Sequence, residues 1–239
     1  MTNKLESIAA KYLDPDDGLK VDERILEILS SNMMQYVNGP DVLEMGVGAG
    51  TYTQKIIEKF GVTNVLDASK KLLDKQKDKF GDKVKVFKSY FEEFEPNIKF
   101  DTIVATNILE HLENPILVLN KMKDWLKDGG KILIIVPNAN SLHRNYGKCL
   151  GLLDNLTDLG ESDFKIGHER VYTYSLIEEH ICLAGLKITR KLPTFLKLLS
   201  NEQMKNFTDN QLEGLFKLAE SLLGFIEYNA DIFLEVVKK

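Results

Sequence analysis

Glycine occupies alternate positions in VLEMGVGAGTYT, at Gly46, Gly48 and Gly50, directly after a short apolar run that carries Glu44. Glycine permits a tight strand-to-helix turn and lets main chain approach a ligand with no Cβ in the way. A dinucleotide fingerprint of the G-x-G-x-x-G type beginning at Gly46 needs glycine at position 51, where this chain has Thr51. A carboxylate at Glu44 repels a pyrophosphate and suits an ammonium group. Asp67 ends the next apolar run, NVLDAS, twenty-one residues after Gly46. An acid at that place accepts both hydroxyls of a ribose, and Ser69 reads as the cap of the following helix. A ribose joined to a cationic amino-acid end describes S-adenosylmethionine. A sulfonium carries its methyl as an electrophile, so the chain must align a nucleophile and exclude water. An oxygen nucleophile also needs a proton acceptor, and four histidines are available: His111, His143, His168 and His180.

These residues must be positioned by the elements around them. From Asp41 to Pro137, apolar runs alternate with amphipathic stretches: DVLEM, NVLD, KVKVF, FDTIVAT and KILIIVP read as strands, separated by helices and by a turn at Asp128-Gly129-Gly130. The runs are nearly continuous and β-branched, as in parallel strands buried on both faces. The expectation is a doubly wound, mostly parallel α/β sheet. GLKITRKL and DIFLEVVKK complete it as sixth and seventh strands, the last one antiparallel. Helices are expected over Leu5–Val37 with a break at Asp14-Pro15, near Leu142–Leu153, over Thr173–Ala184 and over Asn210–Glu227. In the last of these Leu212, Leu215, Phe216, Ala219, Leu222, Leu223 and Ile226 share one face. One domain of 239 residues is expected. Within it, residues 1–40 form N-terminal helices, 41–137 the ligand-binding core, 138–171 a helical cap insertion and 172–239 the completion of the sheet.

Four stretches in order, VLEMGVGAG, VLDAS, FDTIVATNILEHLENP and GGKILIIVPN, resemble the motifs of the class I S-adenosylmethionine-dependent methyltransferases. The resemblance covers about Asp41 to Asn138 and implies a Rossmann-like seven-stranded sheet. It places Gly46, Gly48 and Gly50 against the methionine part with Glu44 close by, and Asp67 with Ala68 at the ribose. Tyr90 and Phe91 flank the adenine, although many relatives have Asp where this chain has Tyr90. Thr106 and Asn107 lie next to the reactive centre, Ile108 to Leu112 wall the cofactor, and His111 comes near it. PNANSLHR, GHERVYT and LKLLSN resemble a subgroup found near sugar and surface-polysaccharide biosynthesis.

On that basis His168 is the expected general base, with His143 and His111 as alternates, and His180 is structural. Asn138, Asn140, Arg144, Arg170 and Tyr172 are candidate acceptor-binding residues, the two arginines as anion clamps. The expected reaction is O-methylation of a sugar, nucleotide-linked, phosphorylated or carboxylated metabolite, with S-adenosylhomocysteine as by-product. N-methylation of an amino sugar or small amine, a nicotinamide dehydrogenase and a non-catalytic partner subunit are the alternatives. The formal net charge of −5 argues against nucleic acid and anionic membrane as partners, and ATNILE stands where amino-directed base methylases carry an Asn/Asp-Pro-Pro-aromatic segment. No metal requirement is expected from the linear arrangement of histidines and carboxylates. Cys149 and Cys182 are expected as reduced, partly buried thiols. With no signal peptide or apolar span in the sequence, a cytoplasmic monomer or homodimer is expected.

Overall fold

Aliphatic runs bounded by glycine and polar residues fold as strands, and the stretches between them as helices that cover both faces of one sheet. The computed structural model describes residues 17–239; the expected helix ahead of Asp14 lies outside the described residues. The elements are α1 (Asp17–Met33), β1 (Val42–Met45), α2 (Thr51–Phe60), β2 (Thr63–Asp67), α3 (Lys70–Phe80), β3 (Val84–Lys88), β4 (Phe100–Thr106), α4 (Pro115–Trp125), β5 (Leu126–Pro137), α5 (Leu142–Cys149), α6 (Glu161–Ile166), α7 (Tyr174–Leu183), β6 (Leu186–Leu192), α8 (Asn201–Met204), α9 (Asp209–Ser221) and β7 (Asp231–Lys238). Short 3-10 turns lie at Leu109–His111 and Leu223–Tyr228.

The seven strands form one sheet in the order β3-β2-β1-β4-β5-β7-β6. The first five are mutually parallel and β7 runs antiparallel to both of its neighbours. This is the doubly wound, mostly parallel sheet expected from the strand pattern, in the seven-stranded Rossmann-like form that the resemblance implies. Strand order reverses between β1 and β4, so the loops after these two strands flank the crevice where a doubly wound sheet takes its ligand.

Side-chain alternation divides the core in two. Leu43, Ile103 and Ile132 point to a face packed by Val118, Leu119, Met122 and Trp125 of α4 and by Ile177 and Ile181 of α7. Val42, Val104 and Leu133 point to the other, packed by Ile25, Leu29 and Met33 of α1, Ile56 of α2 and Leu212, Leu215 and Phe216 of α9. Each such fully buried aliphatic side chain contributes roughly 1.5–3 kcal/mol. The layers thus hold the strand ends in fixed register. Ser69, Asn114 and Thr173 cap α3, α4 and α7 by accepting from the amides of Leu72, Leu117 and Leu176.

The structure departs from the sequence pattern in four places. The expected turn at Asp128-Gly129-Gly130 is an irregularity inside the long β5, where the register against β4 shifts between Phe100 and Thr102. A Cβ at Gly130 would stand 2.9 Å from the Phe100 carbonyl oxygen, which is why that site takes glycine. Helix α5 stops at Cys149, short of Leu153. Helix α9 stops at Ser221, and Leu222 and Leu223 of the expected apolar stripe are exposed; the chain turns there to bring Asn229 and Ala230 back to the sheet. Cys149 and Cys182 are exposed rather than partly buried. Among the described residues no helix is long and apolar enough to cross a membrane.

Candidate active site

The glycine loop joins β1 to α2 through three left-handed residues, Gly46 (φ 73°), Gly48 (φ 45°) and Gly50 (φ 88°). Its shape is set from β2. The Gly46 amide donates to the Leu66 carbonyl (2.9 Å), and the Val47 amide donates to Asp67 Oδ2 (3.1 Å). Asp67 Oδ1 accepts from the Ser69 amide (2.8 Å), so one buried carboxylate ties the loop to the start of α3. Gly46 also sits beneath the loop after β4: a Cβ there would lie 2.2 Å from Ile108 Cδ1. Gly46→Ala therefore combines a left-handed alanine, roughly 1–2 kcal/mol, with displacement of Ile108 from the crevice. The expected result is a lower melting temperature and weaker S-adenosylhomocysteine binding, read from melts with and without that ligand.

Beneath the loop, Glu44 is buried on β1 and accepts from the Thr53 hydroxyl (2.6 Å) at the first turn of α2. Burial pushes its carboxyl up to about 8; Thr53 counters this in part and neighbouring Asp67 adds to it. Across the switch point, Thr106 ends β4 and Asn107 follows with φ 54°, the one non-glycine residue at positive φ among the described residues. Its amide donates to the Ile135 carbonyl, while its buried Oδ1 has no partner. A strained residue with an orphaned acceptor beside a side-chain-poor loop is what a polar ligand would complete. Tyr90 and Phe91 lie half-buried just past β3, whose end pairs Lys88 with Asp67, and Ala68 is half-buried at the end of β2. The residues expected to hold S-adenosylmethionine thus gather along four adjacent strand ends, β3, β2, β1 and β4, and their donors, acceptors and free backbone fit that molecule.

The expected catalytic residues divide. His143, at the start of α5, is half-buried, its Nδ1 unpartnered, and its imidazole is held down to about 3 by burial, with Lys197 and Arg144 adding to the effect. His111 and His168 converge, although 57 positions separate them in the chain, because the return of the cap is laced to the segment after β4. The Glu169 amide donates to the Glu110 carbonyl (2.8 Å), Arg170 donates to the carbonyls of Leu109 (3.0 Å) and Leu112, and the Tyr172 hydroxyl donates to Leu109 (3.3 Å). The two imidazole rings meet edge to face with centroids 4.7 Å apart.

Each imidazole has its Nδ1 engaged. His168 Nδ1 donates to Asp163 Oδ1 (2.9 Å) and His111 Nδ1 to the Gly167 carbonyl (3.2 Å), so in the neutral form of either ring the lone pair is on Nε2. Burial, then the adjoining His168, pushes His111 down to about 4. On Asp163, burial is outweighed by the bonds from His168 and the Gly160 amide, and its carboxyl is held below the usual range. Beside the rings stands Glu110, which the sequence suggested only as part of the Ile108 to Leu112 wall. Glu110 is wholly buried, neither of its carboxylate oxygens has a partner in another residue, and its Oε1 lies 4.0 Å from His168 Nε2. Burial raises its carboxyl to about 8. The adjacent Glu-His pair following the fourth strand was the available signal.

The expected acceptor residues are mostly engaged in holding the cap. Arg144 donates to the carbonyls of Leu156 (2.9 Å) and Asp158 and stands 3.8 Å from Asp163. Arg170 is bonded to the two carbonyls named above. Asn138 donates to the carbonyls of Glu227 and Asn229 (both 2.8 Å) and accepts from the Asn140 amide (2.9 Å). Tyr172 is fully buried, and its hydroxyl is also 3.3 Å from Nδ1 of His180. Asn140 is half-buried and is bonded by Asn145.

Residues 43–132 match the family model described as a methyltransferase domain. Over 138 residues the chain is 29% identical to (S)-coclaurine N-methyltransferase of Papaver somniferum, covering 55% of this chain and 39% of that protein. Over 97 residues it is 31% identical to malonyl-[acyl-carrier protein] O-methyltransferase 2 of Ilyobacter polytropus, covering 39% of this chain and 38% of that protein. The chain spans less than two-fifths of the length of either relative. The fold matches that of magnesium protoporphyrin IX methyltransferase from Synechocystis, solved with bound S-adenosylhomocysteine, with a TM-score of 0.59 at 13% identity over 93% of this chain and 86% of that one. Loop, strand order and family match agree: residues 43–132 match a methyltransferase domain, and they sit in a sheet with the fold of S-adenosylmethionine-dependent methyltransferases.

Proposed function

We propose that the chain transfers a methyl group from S-adenosylmethionine to a hydroxyl of a small-molecule acceptor lodged between the glycine loop and the cap. The observation that carries this reading is the meeting of Glu110 and His111, on the segment that follows Asn107, with His168 on the return of the cap. The cofactor supplies an electrophilic methyl. The protein's own residues must then hold the acceptor in line, exclude water and activate its oxygen. Two imidazoles with free Nε2 lone pairs can act on a hydroxyl, and Asp163 fixes the orientation of His168 as a carboxylate fixes the base of a hydrolase triad. The lacing of residues 109–112 to 167–172 closes the site from one side.

The relatives act, by their names, on nitrogen and on oxygen alike. Oxygen is preferred here because an amine that arrives neutral needs no such group. N-methylation is the second reading, supported by the match to the coclaurine enzyme. Phosphorylated and nucleotide-linked sugars stay within the acceptor class, but Arg144 and Arg170 already serve backbone carbonyls. An uncharged hydroxyl compound therefore fits the cap better than a phosphate ester, and a role in surface-polysaccharide synthesis draws no support from these side chains.

A screen of hydroxylated metabolites and amines with isotope-labelled methyl donor, read by mass spectrometry, tests the assignment. His168→Ala is expected to lower turnover ~10²- to 10⁴-fold while leaving S-adenosylhomocysteine affinity unchanged. Wild-type turnover on the true acceptor would remove His168 from the reaction, and would favour the nitrogen reading if that acceptor is an amine.

A further inference from the structure

We propose that Glu110, His111 and His168 form a binding site for a divalent transition-metal ion of the zinc type. The three side chains each present one ligand atom within 4.8 Å of the other two. Two come from consecutive residues of the 3-10 turn after β4, and the third comes from the return of the cap, so the site closes only in the folded chain.

Glu110 is the first argument. A fully buried carboxylate with no partner on either oxygen is costly and rare, and a cation between the three residues would satisfy it. The imidazoles are the second. Metal-binding histidines ligate through one ring nitrogen while the other donates to a carboxylate or a carbonyl. Here His168 donates from Nδ1 to Asp163 and His111 from Nδ1 to Gly167, which leaves Nε2 of each free to ligate. The ligand set is the third. Two imidazoles and one carboxylate suit Zn²⁺, Fe²⁺ or Co²⁺, whereas Mg²⁺ and Ca²⁺ prefer oxygen-only shells. With bonds near ~2.0–2.2 Å, tetrahedral ligands stand about 3.4 Å apart, so the 4.0 Å between His168 Nε2 and Glu110 Oε1 needs a small inward movement. Three protein ligands leave an open position, and His111 is the half-buried member through which it would be reached.

Metal binding stands on these observations alone. Its part in catalysis rests on the methyl-transfer reading: the open position would hold the acceptor hydroxyl, and the ion would make that hydroxyl acidic enough to lose its proton to water, in place of the imidazole lone pairs that ligation takes up.

The test uses tag-free full-length protein, stripped with chelator and reloaded with Zn²⁺ or Co²⁺. One equivalent bound per chain is expected by elemental analysis and calorimetry, with a visible Co²⁺ spectrum of low-symmetry nitrogen and oxygen ligation. Glu110→Gln, which keeps the shape of the side chain, and His168→Gln should each abolish that spectrum while the fold, followed by circular dichroism, persists. Absence of stoichiometric metal, or a Co²⁺ spectrum indifferent to both variants, overturns the proposal. Methyl transfer undiminished in chelator-stripped protein overturns the catalytic part and leaves the methyltransferase reading intact. Metal bound at these residues in a chain that methylates no acceptor supports the site and counts against that reading.

Discussion

Replacing Asp67 with alanine is expected to lower S-adenosylhomocysteine affinity about 100-fold or more and to destabilise the free protein. The carboxylate accepts from the amides of Val47 and Ser69, so the change leaves a buried amide at the glycine loop without its acceptor. Each such loss costs roughly 1–3 kcal/mol, and in a chain of this size each kcal/mol lowers the melting temperature by about 2–4 °C. On the ribose assignment that the resemblance implies, the ribose hydroxyls would lose their acceptor as well. Hydrogen bonds to a charged group are worth about 1.5–3 kcal/mol each, and 1.4 kcal/mol corresponds to roughly a tenfold change in Kd. Asp67→Asn separates the two roles. One carbonyl oxygen remains for one amide, while the new NH₂ faces the other donor, so an intermediate loss is expected. Calorimetry with S-adenosylhomocysteine decides: wild-type affinity in Asp67→Ala would mean that this acid does not meet the ribose.

The parts of the site readable in the sequence are those whose residues are close in the chain and whose chemistry is backbone-dominated. Gly46, Gly48 and Gly50 take positive φ because the turn from β1 into α2 demands it, and glycine records that demand directly. Asp67 was legible because a strand end with a polar residue is a local pattern. The cap was not. Arg144 and Arg170 look like anion clamps in a sequence that cannot show which carbonyls go unpaired; in the fold, Leu109, Leu112, Leu156 and Asp158 supply those carbonyls. Glu110 reads as one more charge in LEHLEN, because its burial depends on residues 167–172 folding over it. Likewise Leu222 and Leu223 continue a helical stripe by spacing, but the need to return Asn229 to the sheet, where it accepts from the Thr194 amide, ends the helix before they can pack.

Glu44→Gln is expected to stabilise the free protein at neutral and alkaline pH and to abolish the proton release expected when an ammonium group binds beside Glu44. Burial raises the Glu44 carboxyl from an ordinary value of 4.5 to about 8. The folded chain therefore holds a proton that the unfolded chain gives up between these values, and stability falls as pH rises across that window. At pH 5 wild type and variant should melt alike. By pH 8 to 9 the variant should be ahead by an amount on the order of 4 kcal/mol, since it carries no charge to bury. Cofactor binding works in the opposite direction. An ammonium group beside Glu44 favours the carboxylate, so binding near pH 7 should expel the proton from wild type and leave an ion pair at the first turn of α2, where the helix dipole also favours negative charge. The glutamine has no proton to lose and no charge to offer. Calorimetric titrations at pH 7 in two buffers of different ionisation enthalpy should show proton release in wild type and none in the variant, together with weaker binding. Equal proton release from both proteins would assign the titration to another group and remove Glu44 from the ammonium site, while a variant no more stable than wild type at pH 9 would show that the Thr53 hydroxyl and the helix terminus already sustain the buried charge.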